Sequence, residues 1–159
     1  MNHMTDAVGP TERVVSQLPF TVRRRVKWGE CDPAGVAHTG TYSDYVLSAA
    51  ELFYAFLLGG SLHQGDQPIG FGTPTRALTF DFRRSLRPDD EFDMHVGIVD
   101  IRSRTFVLGI DARTSEGQVV FLATLTPICI AQDERRSIQI PDSFRKRLED
   151  YRDACAITR

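Results

Sequence analysis

Along Phe20–Trp28, FTVRRRVKW, apolar and charged side chains alternate. Phe20, Val22, Val26 and Trp28 share one parity, and Arg23, Arg25 and Lys27 take the other. A period of two predicts a strand with one buried and one wetted face. From Thr41 the period changes. Tyr42, Tyr45, Val46, Ala49, Ala50, Phe53, Phe56 and Leu57 recur at spacings of three and four, which predicts a helix over 41–58 with a wide apolar face. Gly59 and Gly60 end it. Its two acids are Asp44, near the start where the helix dipole favours negative charge, and Glu51 in the middle. So apolar a helix is expected to be wrapped by other structure.

A glycine-rich loop follows at 61–72, and then four runs that read as strands, at 75–86, 91–101, 104–114 and 118–131. Short hairpin-like turns join them. After Pro141-Asp142-Ser143 a short charged helix is expected over 144–151. One strand, one long helix and then an antiparallel meander predict an α+β domain, with a curved sheet of about five strands around one central helix. An open sheet of this kind leaves an edge, so a homo-oligomer is expected. Residues 1–18 read as a flexible polar tail, 19–145 as the domain, and 146–159 as a C-terminal helix or tail.

Composition narrows the function classes. The chain has 159 residues, enough for one domain, and 42% of them are apolar. Its net charge of −2 offers no basic excess for nucleic acid. Cys31, Cys129 and Cys155 form no CxxC pair, and the four histidines show no zinc spacing. No metal is expected, and reduced thiols point to a cytoplasmic protein. No apolar run is long enough to span a bilayer, and the first residues lack the core of a signal peptide.

The densest polar chemistry lies in WGECDPAGVAHTGTY, Trp28–Tyr42, between the first strand and the helix. Pro33 and Gly35 mark a turn there. The run Glu30-Cys31-Asp32-Pro33-Ala34-Gly35, with Tyr42 at the matching distance, resembles the signature of the 4-hydroxybenzoyl-CoA thioesterase family of the Pseudomonas type and of related hotdog-fold acyl-CoA thioesterases. Gly72-Thr73-Pro74 and the ending Arg136-Ser137-Ile138-Gln139-Ile140-Pro141 resemble the family too. The likeness covers roughly residues 20–145.

The resemblance implies a hotdog fold and a thioester hydrolase acting on an acyl-CoA, with no cofactor, in a homodimer or a dimer of dimers. It implies that Asp32 is the catalytic carboxylate, as nucleophile or general base, and that the Thr39 backbone N–H is the oxyanion donor. The physics agrees, because a helix start presents unpaired N–H groups and a positive dipole end. Gly35 and Gly40 would let the backbone approach the substrate. Tyr42 and Thr73 are further candidate contacts. Arg102, Arg104 and Arg136 are candidates for the CoA phosphates; Arg104 and Arg136 match basic positions of the family, and Arg102 is offset.

Where the family has an aromatic pair and then Pro-Asn, this chain has His38-Thr39 and then Gly40-Thr41. The acyl site is accordingly smaller and more polar. His38 is a candidate general acid, or a hydrogen-bond partner for a phenolic or carboxylic substrate group. Cys31 reads as packing. Two alternatives stand beside this reading. One is a hotdog enoyl-thioester hydratase or dehydratase, although its Asp-His pair encloses Asn-Pro rather than Pro33-Ala34-Gly35. The other is a non-catalytic acyl-thioester-binding dimer in which Asp32 is a turn residue.

Overall fold

A computed structural model describes residues 9–59 and 70–158. Most of the loop expected at 61–72, and residues 1–8 of the expected tail, lie outside the described residues.

The domain is α+β. Six antiparallel strands form one sheet in the order β1-β2-β5-β6-β7-β4. These are β1 (Glu12–Gln17), β2 (Phe20–Arg25), β4 (Thr75–Phe82), β5 (Glu91–Ile101), β6 (Phe106–Thr114) and β7 (Val119–Pro127). A two-stranded ribbon pairs β3 (Phe71–Gly72) with β8 (Ile130–Ala131). The long helix α1 (Thr41–Leu57) lies in the curve of the sheet, and α2 (Asp142–Ile157) closes the chain.

The inward parities of β2, β5 and β7 meet α1. Phe20, Phe92 and Phe121 place their rings against Phe53, Tyr45 and Tyr42, with centroids 5.5, 5.3 and 5.5 Å apart. Eight α1 side chains are buried, from Tyr42 to Leu57. Burial of rings and branched chains, at roughly 25 cal/mol per Å², holds helix and sheet together. The helix ends where Gly59 adopts φ +76°, a left-handed turn that suits glycine.

Several expectations are corrected. The stretch 1–18 is not wholly a tail, because Glu12–Gln17 is an edge strand paired with β2. Val14 and Val15 are adjacent and both exposed, so no apolar period could reveal it. The backbone ladder makes the strand, together with an ion pair from Glu12 to Arg24. With it the sheet has six strands, in keeping with the expected curved sheet of about five around one long helix.

The first alternating run stops at Arg25. Val26 stays buried, but Trp28 sits in a short 3₁₀ turn and is 73% exposed. The run 75–86 ends as a strand at Phe82, where the Arg83 and Arg84 N–H groups turn back to the Val120 carbonyl. The run 118–131 divides into β7 and β8. The last helix is twice as long as expected, because Phe144, Leu148 and Tyr151 form one buried stripe beneath a charged surface. Among the described residues, no helix is long and apolar enough to cross a membrane.

Candidate functional site

The segment after β2 folds into a tight hairpin. Cys31 bridges Ala37, and the Asp32 N–H donates to the Val36 carbonyl at 2.9 Å. Gly35, at φ +78°, donates its N–H to the Asp32 carbonyl and closes the turn. At the base, the His38 N–H donates to the Glu30 carbonyl at 2.9 Å. The Ala37 N–H donates to the Leu86 carbonyl at 2.7 Å, which anchors the hairpin to the segment entering β5. Thr41 and Tyr42 then donate to the carbonyls of His38 and Thr39, and α1 begins.

This geometry puts Asp32, Gly35, His38, Thr39 and Gly40 on one exposed or half-exposed hairpin at a helix start. The Ala34 N–H donates to Asp32 Oδ1 at 2.8 Å, which fixes the carboxylate in an Asx turn. Its other oxygen, Oδ2, has no partner among the described residues. Thr39 is exposed, and its N–H has no acceptor among the described residues. The Gly40 N–H donates to His38 Nδ1 at 3.0 Å, so a neutral His38 ring carries its proton on Nε2. A pinned carboxylate and a free amide at a helix N-terminus suit attack on a carbonyl and stabilisation of the resulting oxyanion.

Burial pushes the Cys31 thiol above its ordinary pKa, and Glu30 and Asp32 add to the rise. Its Sγ lies 3.6 Å from the Lys27 carbonyl, and it packs against the core.

Tyr42 lies in the core beneath the hairpin. It is 4% exposed, with its ring among Phe82, Phe121, Tyr45 and Phe80. Burial raises its phenol pKa, and the Leu86 backbone partly opposes the rise.

The remaining predicted residues stand apart. Arg102 pairs with Asp100 at 2.8 Å and Arg136 with Glu134 at 2.8 Å. Arg104 donates to the Ser137 carbonyl and to its hydroxyl, at 3.1 and 2.7 Å. Thr73 is half-buried between β3 and β4, next to Pro74, whose carbonyl accepts from Ile128. These residues cluster where β5 ends and β6 begins. The hairpin is anchored where β5 begins. Eleven residues of β5 lie between, about 35 Å of extended strand. One chain does not bring the two groups together.

Residues outside the motif hold the hairpin in place. Arg24 and Tyr45 both donate to the Glu30 carboxylate, Arg24 at 2.6 Å, and Arg24 also reaches Glu12. The signal was present, because Arg24 shares the core-facing parity of Phe20, Val22 and Val26. A charge on a buried parity needs a buried partner.

Comparison with solved structures shows the same fold. A 1,4-dihydroxy-2-naphthoyl-CoA thioesterase from Synechocystis superposes with a TM-score of 0.72 at 22% identity, over 82% of this chain and 96% of that one. A Staphylococcus aureus protein solved in complex with CoA gives 0.77 at 18% identity, over 93% and 89%. A mutant 4-hydroxybenzoyl-CoA thioesterase complexed with 4-hydroxybenzoyl-CoA gives 0.67 at 23% identity, over 80% and 96%. The search of curated proteins found no match. The sequence itself, over residues 26–148 and thus across the hairpin, α1 and the whole meander, matches the thioesterase-like superfamily, and the chain is an enzyme of that superfamily.

Proposed function

We propose that the protein is an acyl-CoA thioesterase that hydrolyses an aromatic, 4-hydroxybenzoyl-like, or small acyl-CoA to the free acid and CoA. The observation that carries this reading is the hairpin, with a carboxylate pinned through one oxygen and a Thr39 N–H at the start of α1 that has no acceptor among the described residues. In this reading the thioester oxygen sits at the Thr39 N–H, where the helix start polarises the carbonyl. Asp32 Oδ2 attacks the carbonyl carbon, or takes a proton from a water that does. The C–S bond breaks, and CoA leaves as thiolate and is protonated. Attack by Asp32 itself forms a mixed anhydride, which water then hydrolyses. His38 Nε2–H serves a polar group on the acyl moiety or protonates the leaving thiol. No metal or cofactor takes part.

Thr73, Arg102, Arg104 and Arg136 are the proposed contacts to the CoA end, and Gly35, Gly40 and Tyr42 shape the acyl end. The strand-length separation of the two groups supports a site completed by a second copy of the chain, in a homodimer or a dimer of dimers. The relatives solved with CoA and with 4-hydroxybenzoyl-CoA support a CoA-thioester substrate.

The test is free-thiol release from 4-hydroxybenzoyl-, benzoyl-, phenylacetyl- and aliphatic acyl-CoAs, with wild type and Asp32→Asn side by side. Hydrolysis selective for one acyl class, with kcat lowered about 100-fold or more in the folded mutant, is expected. Turnover untouched by the mutation, or no release from any ester, overturns the reading.

A further inference from the structure

Glu30 is a junction. Its carbonyl accepts the His38 N–H at 2.9 Å and the Thr41 hydroxyl at 3.2 Å. Its carboxylate accepts from Arg24 Nη2 at 2.6 Å, from the Tyr45 hydroxyl, and from the Lys27 N–H at 3.4 Å. One residue thereby ties β2, the second turn of α1 and the base of the hairpin. The Arg24 guanidinium carbon lies 4.9 Å from the centroid of the Tyr45 ring. Arg24 continues the chain of contacts to Glu12 at 3.3 Å, and Glu12 accepts the Ser48 hydroxyl of α1 at 2.6 Å.

These charges are largely removed from water. The Glu30 and Arg24 side chains are 15% and 14% exposed. Arg24 Nε is buried and has no acceptor among the described residues, so the guanidinium is already one partner short and depends on the carboxylates it has. Losing one partner leaves the other buried and poorly matched, which is the condition under which an ion pair holds a geometry firmly. Asp32 follows Glu30 by two residues, and Thr39 follows the residue that Glu30 holds. A tilt of Glu30 therefore moves both groups proposed to act on the thioester.

We infer that Glu30, clamped by Arg24 and Tyr45, is a positioning residue that sets the Asp32 carboxylate against the Thr39 amide. It touches no substrate. It acts by fixing the hairpin to β2 and α1. The turnover part of the inference rests on the proposed thioesterase reading; the geometric part does not.

Two variants test it. Glu30→Gln keeps the shape of the side chain and removes its charge. Tyr45→Phe keeps the ring and removes one donor, and it serves if Glu30→Gln does not fold. The first measurement is amide hydrogen exchange. In the variants the hairpin amides of residues 31–38 should exchange about tenfold faster, while β5 and β6 stay within about twofold. The second is kinetics on the best acyl-CoA of the panel, where kcat should fall about tenfold or more with KM within about threefold. The double variant should be slowed by less than the product of the two single effects, because Glu30 and Tyr45 share one contact.

A merely stabilising role would speed exchange across the whole sheet and leave kcat per folded molecule unchanged; either result overturns the inference. If wild type hydrolyses nothing, the proposed function falls and the exchange measurement alone decides the positioning role.

Discussion

Tyr151→Phe removes one oxygen atom from the second helix and should cost far more than its size suggests. The Tyr151 hydroxyl donates to the Val96 carbonyl at 2.5 Å and accepts the Phe20 N–H at 2.9 Å. Phe20 and Val96 are register partners at the start of the β2–β5 ladder, so the hydroxyl is inserted where a direct ladder bond would lie. Both residues are 1% exposed, so their backbone groups have little access to solvent. Burial, ahead of all other influences, raises the Tyr151 pKa, so the group stays a neutral donor.

The phenyl ring would keep its contact with Phe53, at a centroid distance of 4.8 Å, so little packing is lost. Two buried backbone groups are orphaned instead, at about 1–3 kcal/mol each, or roughly 2–4 kcal/mol after partial relaxation. For a chain of this length that is a fall in Tm of about 5–15 °C. Guanidinium denaturation, with an unchanged m-value, and calorimetry would read it. A loss below about 0.5 kcal/mol would refute the reasoning, because it would mean that Phe20 and Val96 bond directly once the hydroxyl is gone.

Gly40→Ala places a Cβ 3.2 Å from His38 Nδ1, in a backbone conformation that alanine accepts. Stability should hold within about 1 kcal/mol. The His38 ring must shift, and kcat/KM for esters with a polar acyl group should fall about threefold to tenfold; an unchanged value would remove His38 from the site. Cys129 is wholly buried, and burial pushes its thiol up from 9.0 to about 11, against the field of Arg145. The folded state therefore keeps this proton longer than the unfolded chain does. The stability it contributes is complete below about pH 9 and is lost as pH rises towards about 11. Denaturation midpoints across that range should fall more steeply for wild type than for Cys129→Ala.

Much of this protein is legible in local pattern. The three-and-four spacing from Tyr42 onward gave α1 to within one residue, and the run 91–101 matches β5. Asp32, Gly35, His38, Thr39 and Gly40 are grouped by the resemblance of one run of nine consecutive residues to the thioesterase signature, and turn chemistry at Pro33 and Gly35 folds the chain back there. Such features depend on neighbours close in sequence, and periodicity reports which face they bury.

Other features depend on partners far away along the chain. β1 exists because the edge of β2 offers a ladder, not because its own side chains alternate. Arg24 turns inward because Glu30, Glu12 and the Tyr45 ring meet it there. Tyr42 is buried because strands forty and eighty residues later supply Phe82 and Phe121 to cover it. Arg102, Arg104 and Arg136 stand at the far end of the sheet because β5 runs its whole length between them and the hairpin. Backbone pairing, charge burial and the reach of an extended strand are set in three dimensions. The sequence named the chemical groups, and the tertiary fold decided which of them one chain can bring face to face.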